Sequence, residues 1–314
     1  MHNQENKKPA SGFGQESRVS KILAAFKDFD GTYKRKQVDE AIELRKEITA
    51  PLIEILKNAL ADPAKYFESA DRYDHIYALM LLGHFRESEA HKVIVDLFSL
   101  PGDIPHALFG DIATSDLPII LLRTCGGSIE RIKSMALSKD ADDYCRVSAL
   151  TAMAYAVVEN IVSREAVLLF FKTLFSGGEA EEDSDFWGLL ANIVCDLYPE
   201  EIMDTIEKAY DDGLISSGTI RPEDFQRALE AGKEKTLEGL KADFERQSLG
   251  DIHASMAWWA CFNEETEVYT PAAELNHSLS ANAEQLAPKF SKKKNKARKK
   301  KRKQAKAARR KQRR

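Results

Sequence analysis

A helical apolar period, recurring in paired segments, constrains this chain more than any other feature. Val19, Ile22, Leu23, Phe26 and Phe29 fall on one stripe of a helix with about 3.6 residues per turn. Val38, Ala41, Ile42, Arg45 and Ile48 continue the pattern. Pro51 suits the first turn of the next helix, because its missing N–H would lack a partner there anyway. That helix is expected to bury Leu52, Ile55, Leu56, Ala59 and Leu60.

The two-helix unit then recurs. Ile76–Phe85 is apolar nearly all round, so it should be buried on more than one side. Its successor carries Ala90, Val93, Ile94, Leu97 and Phe98 on a single face and ends at Pro101 and Gly102. After an irregular loop, Leu117–Thr124 pairs with Ile129–Leu137 across Gly126 and Gly127. Tyr144–Val158 pairs with Val167–Phe175, where Ser163 is placed as an N-cap. Phe186–Leu197 pairs with Ile202–Tyr210 through Tyr198–Pro199.

The leading helices start near Tyr73, Asp116, Asp143 and Asp185, spacings of 43, 27 and 42 residues. HEAT and armadillo arrays repeat every ~40–47 residues. Residues 144–150, with Arg146 followed by small and apolar positions, also look like the first helix of a HEAT unit. No short run alternates in the manner of a strand bounded by turns. The expected fold is all-α, an α-α superhelix of antiparallel helix pairs.

From Pro222 onward the spacing predicts two more helices, near Phe225–Ala231 and Leu237–Phe244, followed by an apolar patch from Met256 to Phe262. Terminal repeats must cover an otherwise open core, so this patch is expected to cap the array. Adjacent Trp258 and Trp259 point about 100° apart on a helix, so at least one should pack inward. The domain plan is residues 1–16 as a disordered start, 17–263 as the helical body, 264–288 as a linker containing Pro271 and Pro288, and 289–314 as a polybasic tail.

Charge separates these parts. The chain has 46 basic and 50 acidic residues, a formal net charge of −4. Yet residues 289–314 hold 17 Lys or Arg and no acid, which leaves 29 basic against 50 acidic residues in 1–288, a balance of −21. The tail cannot form a core, having little that is apolar beyond Phe290 and a few Ala.

An ordered set of motifs points to a family. Residues 45–54 with Pro51, 77–87 with Gly83, His84 and Arg86, Gly110-Asp111-Ile112, Asp116-Leu117-Pro118, Cys125-Gly126-Gly127 and Trp258–Phe262 occur in sequence. Together they resemble a bacterial family known as domain of unknown function 1186, over about residues 19–262. The resemblance implies a HEAT-like helical fold and supplies no reaction and no catalytic residues. Members of that family often end in a short Cys-rich zinc-binding motif. No Cys follows Cys261 here, and a polybasic tail stands in that motif's place.

The tail is the strongest functional signal. Lys292, Lys293, Lys294, Lys296, Arg298, Lys299, Lys300, Lys301, Arg302, Lys303, Lys306, Arg309, Arg310, Lys311, Arg313 and Arg314 form a dense cation array. Such an array gains affinity for polyphosphate by releasing condensed counterions. With Phe290 its only aromatic residue, it has little with which to stack on bases. Nucleic-acid or ribosome association, insensitive to sequence, is therefore expected; a solvated solubility tail is the plainer alternative. The acidic stretch Glu179, Glu181, Glu182, Asp183 and Asp185 is expected to be a solvated connector that favours the next helix N-terminus. Its sharper reading is an internal dock for the tail.

Elsewhere the residues suggest no chemistry. Cys125, Cys145, Cys195 and Cys261 contain no Cys-x-x-Cys pair and fit buried thiols in a reducing compartment. His75 beside Asp74, and His84 and His91, lack the i, i+4 spacing of helical zinc ligands and are expected to be core or surface histidines. No nucleophile elbow or phosphate-binding P-loop occurs, and Gly12 and Gly14 mark only a flexible start. No catalytic, cofactor or metal site is expected. No run of residues reaches the roughly 18 apolar positions of a membrane span, and the polar start lacks a secretory apolar region, so a cytoplasmic location is expected. The expected function is that of a non-enzymatic adaptor, with a protein partner on the helical surface and RNA, DNA or the ribosome on the tail. The alternative is a HEAT-like enzyme acting on nucleic acid, which would need Arg and Lys gathered on a concave face.

Overall fold

Apolar residues at helical spacing collapse into helices throughout. The structure, a computed structural model, describes residues 12–69, 72–181 and 184–263; among them no strand occurs beyond two isolated bridges, Asp28 with Arg72 and Pro101 with Ala141. The helices are α1 (Gly12–Lys27), α2 (Arg35–Glu43), α3 (Arg45–Ala61), α4 (Ala64–Phe67), α5 (Asp74–Phe85), α6 (His91–Phe98), α7 (Ile104–Phe109), α8 (Ile112–Ser115) and α9 (Leu117–Thr124). They continue as α10 (Glu130–Leu137), α11 (Asp143–Val158), α12 (Arg164–Lys172), α13 (Phe186–Asp196), α14 (Met203–Asp211), α15 (Pro222–Ala231), α16 (Lys233–Arg246) and α17 (Ile252–Met256).

Packing sorts these helices into layers. α5, α9, α11 and α13 each pack on the next, forming one row. A second row follows the same order: α3 packs on α5 and α6, α6 on α10, and α10 on α11. The Lys133 ammonium of α10 lies over the Phe170 ring of α12, which carries the second row onward. α5 is the most enclosed element, with every residue buried except His84. Burying each of its large apolar side chains stabilises the fold by about 1.5–3 kcal/mol. Gly83 permits the close approach on one side: a Cβ there would meet Leu249 at 3.0 Å and Ile120 of α9 at 3.1 Å.

Two local expectations change. Pro51 lies inside α3 rather than at a helix start, and the chain breaks at Leu44 instead, where φ is −96° and ψ is 28°. Ile48, Leu52 and Leu56 form one buried face across the proline, and that continuous burial outweighs the one donor proline removes. The irregular loop after Gly102 contains two short helices, α7 and α8. Leu108, Phe109, Ile112 and Ala113 are buried there, so tertiary packing orders them. Ser163 caps α12 as expected, its side chain accepting from the Ala166 N–H at 3.2 Å.

The C-terminal apolar patch packs on the beginning of the body. α16 lies on α11 and α13, and the chain then returns so that α17 meets α5. Phe262 sits among Phe29, Tyr33, Tyr73 and Tyr77, with ring centroids 5.4–6.3 Å away. Trp259 stacks on Phe262 at 5.9 Å, whereas Trp258 is 71% exposed. One Trp of the pair therefore turns inward, but toward the first helices rather than over the last pair.

Candidate functional site

Four helices end at one cleft of about 560 Å³, lined by residues that include Arg86, Arg123, Cys125, Gly126, Gly127, Glu159 and Glu245. Arg86, Cys125 and Glu159 are the C-caps of α5, α9 and α11, and α16 ends one residue after Glu245. Helix C-termini present unpaired carbonyls and partial negative charge. Arg123 answers those of α5: its Nε donates to Gly83 O and its Nη2 to His84 O, both at 2.9 Å. Burial, then the neighbouring Arg86 cation, holds the Arg123 guanidinium below its usual pKa. Arg86 itself is exposed and adopts the left-handed conformation, with φ of 55°. Gly126 also has positive φ, 61°, and a Cβ there would lie 3.3 Å from Ser88 Cβ. The His84 ring N–H reaches Leu249 O at 2.8 Å, tying the returning segment to the same corner. The cleft is thus mixed in charge, with two guanidinium groups and two carboxylates around a turn of paired glycines. Motif residues 83–86 and 125–127, far apart in sequence, meet here.

A second convergence lies at the opposite end of α11. Asp142 is its N-cap, and Oδ1 accepts from the Tyr144 and Cys145 N–H groups at 2.9 and 3.1 Å. The Pro101–Ala141 bridge fixes the strand-like approach to Asp142 against the chain leading into α7. His106 of α7 then meets Asp142, Nε2 to Oδ1 at 3.0 Å. The Cys145 thiol completes the group, and one ligand atom from each of His106, Asp142 and Cys145 lies within 4.8 Å of the others. Burial, reinforced by Asp142, pushes the Cys145 thiol well above its ordinary pKa. His106 and Asp142 are half-buried, while Cys145 is fully buried. Spacing along the chain gave no sign of this set: 36 residues separate His106 from Asp142, and the sequence marked only a helix start near Asp143.

The remaining sequence candidates have structural partners. His75 Nε2 contacts Leu108 O at 2.7 Å, and Arg72 pairs with Asp74 at 2.9 Å. His91 Nδ1 lies 2.9 Å from Thr124 Oγ1 inside the core. Glu179 braces its own loop, accepting from Gly177 N, Gly178 N and the Trp187 indole. Ser184 Oγ bonds Asp143, so the loop is anchored beside the start of α11. Buried Arg146 donates to Ala136 O and Asp143 and lies over the Phe186 ring, 4.3 Å from its centroid. Glu182, Asp183 and the cationic residues from Lys292 to Arg314 lie outside the described residues. Among the described residues no helix is long and apolar enough to cross a membrane.

Comparison with known proteins adds lineage rather than chemistry. Two relatives, each described only as an uncharacterized protein, come from Chlamydia trachomatis serovar D and Chlamydia muridarum. Each is 31% identical over 211 residues, covering 67% of this chain and 84% of the relative. No solved structure gives a significant match. The family model described as "Protein of unknown function (DUF1186)" matches residues 17–263, and the chain belongs to that family.

Proposed function

We propose that the chain is a cytoplasmic adaptor, a HEAT-like helical body that meets a protein partner and a basic tail that holds RNA, DNA or the ribosome. The observation that carries this reading is the charge separation: a balance of −21 over residues 1–288 against 17 cations and no acid in 289–314. A body so acidic repels a polyphosphate, so affinity for one must come from the tail. In a superhelix of helix pairs, α5, α9, α11 and α13 are the inner row. α16 and the returning segment lie against that row, and on this reading they fill the concave side. The outer row is left for a partner, and Leu137 of α10 and Leu169 of α12 are exposed there, at 48% and 65%.

Deletion of residues 289–314 tests the tail's part. The truncated chain should keep its helicity and thermal midpoint while losing most salt-sensitive retention of nucleic acid. Log affinity of the full chain should fall against log salt by about 0.7–0.9 per phosphate contacted. A truncated chain that binds a duplex as tightly as the full one, at matched salt, refutes the assignment.

A further inference from the structure

We propose that His106, Asp142 and Cys145 form a binding site for a zinc-like divalent ion, with three protein ligands and a fourth position open to water. One nitrogen, one carboxylate oxygen and one sulfur, supplied by α7 and the start of α11, lie within 4.8 Å of one another. That mixed donor set suits zinc, which accepts imidazole, carboxylate and thiolate, and it excludes magnesium and calcium, which avoid sulfur. Zinc holds such donors at roughly 2.0–2.3 Å. The set must therefore contract slightly around an ion, and the half-buried His106 on a six-residue helix is the member able to move.

The helix cap brings Cys145 to Asp142 and a hydrogen bond brings His106 there, so three donors of different chemistry converge on one carboxylate. Asp142 need not surrender its cap. Oδ1 already serves the two backbone N–H groups, and a carboxylate has lone pairs on both oxygens. The positive end of the α11 dipole opposes a cation, with a weight of about half an elementary charge. Asp142 and a Cys145 thiolate together supply two full negative charges at the ion.

Binding balances as follows. The Cys145 S–H bond breaks, a sulfur–metal bond forms, and the proton passes to solvent. The imidazole binds through the Nε2 lone pair, its ring proton moving to Nδ1. The carboxylate stays ionised, and one proton leaves per ion bound to the neutral imidazole form.

Cobalt(II) and zinc(II) salts, added to the full chain carrying no histidine tag, test the proposal. Cobalt should bind at one ion per chain and produce a thiolate-to-metal charge-transfer band, and zinc should displace it. Cys145→Ser should abolish the band, while Cys195→Ser and Cys261→Ser should leave it unchanged. His106→Ala, which leaves the core untouched, should weaken cobalt affinity at least about tenfold by removing a ligand. Wild-type protein that gives no thiolate band with millimolar cobalt overturns the site. So does a band whose affinity is the same in His106→Ala, a result that stands even if Cys145→Ser fails to fold.

Discussion

His91 shows how one core residue ties stability to pH. It opens α6, where the helix dipole disfavours a cation, and it is 5% exposed. Thr124 Oγ1 donates to Ile120 O at 2.8 Å, so His91 Nδ1–H must donate to Thr124, and Nε2 carries a bare lone pair. That Nε2 has no hydrogen-bond partner among the described residues. Burial, and then Arg131, pull the imidazole pKa down from 6.5 to about 4. The unfolded chain thus binds a proton between pH 6.5 and 4 that the folded chain refuses. Stability contributed by neutral His91 is present above pH 6.5 and is lost as pH falls toward 4, up to about 3 kcal/mol. Replacing His91 with Leu keeps the Thr124–Ile120 bond and removes the titration. Unfolding in urea across pH 4–7.5 should show the variant losing less stability than wild type by roughly that amount; parallel pH curves would contradict the assignment.

At the scale of elements, the returning segment decides which terminal residues matter. Phe262 touches four rings from the first third of the chain, whereas Trp258, four residues earlier, is 71% exposed. Polar ties run the same way: Tyr33 Oη meets His253 Nδ1 at 2.8 Å, and His253 Nε2 meets Asp39 at 2.8 Å. Phe262→Ala should therefore destabilise the body by about 1–3 kcal/mol, less than the ~3–5 of a fully buried Phe. Trp258→Ala should stay within ~0.5 kcal/mol, as surface changes do. Thermal denaturation of both variants checks the pair, and equal shifts would place the segment elsewhere. Helix existence was legible because local signals mark it: Ser163 caps α12, Pro222 opens α15 and Leu117–Thr124 matches α9 residue for residue. The returning segment was not, because contacts between Tyr33 and His253 span 220 residues and leave no periodic trace. Pro51 misled for a related reason, since burial on both sides of it kept one helix where local rules favoured two. The His106 cluster was hidden by the same gap between spacing and proximity.

Across the whole molecule, the unequal charges raise the question of what the tail meets first. On the proposed function an acidic body would attract the tail's cations as well as repel polyphosphate, so body and polyphosphate would compete for the same 17 charges. The strongest local concentration of acid is the run from Glu179 to Asp185, in which Glu179 is committed to bracing its loop and Ser184 is tied to Asp143. The consecutive acids Glu181, Glu182 and Asp183 are the ones to neutralise, with Asp185, the N-cap of α13, left in place. Exposed ion pairs contribute ~0.2–1 kcal/mol each. Three of them in competition with nucleic acid should therefore weaken its binding severalfold at low salt, and the effect should vanish near 1 M salt, where the screening length is about 3 Å. Replacing Glu181 and Glu182 with Gln and Asp183 with Asn should tighten binding of a duplex to the full chain at low salt and change nothing once residues 289–314 are deleted. Unchanged affinity in the full chain would mean the tail is not held by this loop. A gain that persists in the truncated chain would mean the loop acts by repelling the duplex directly.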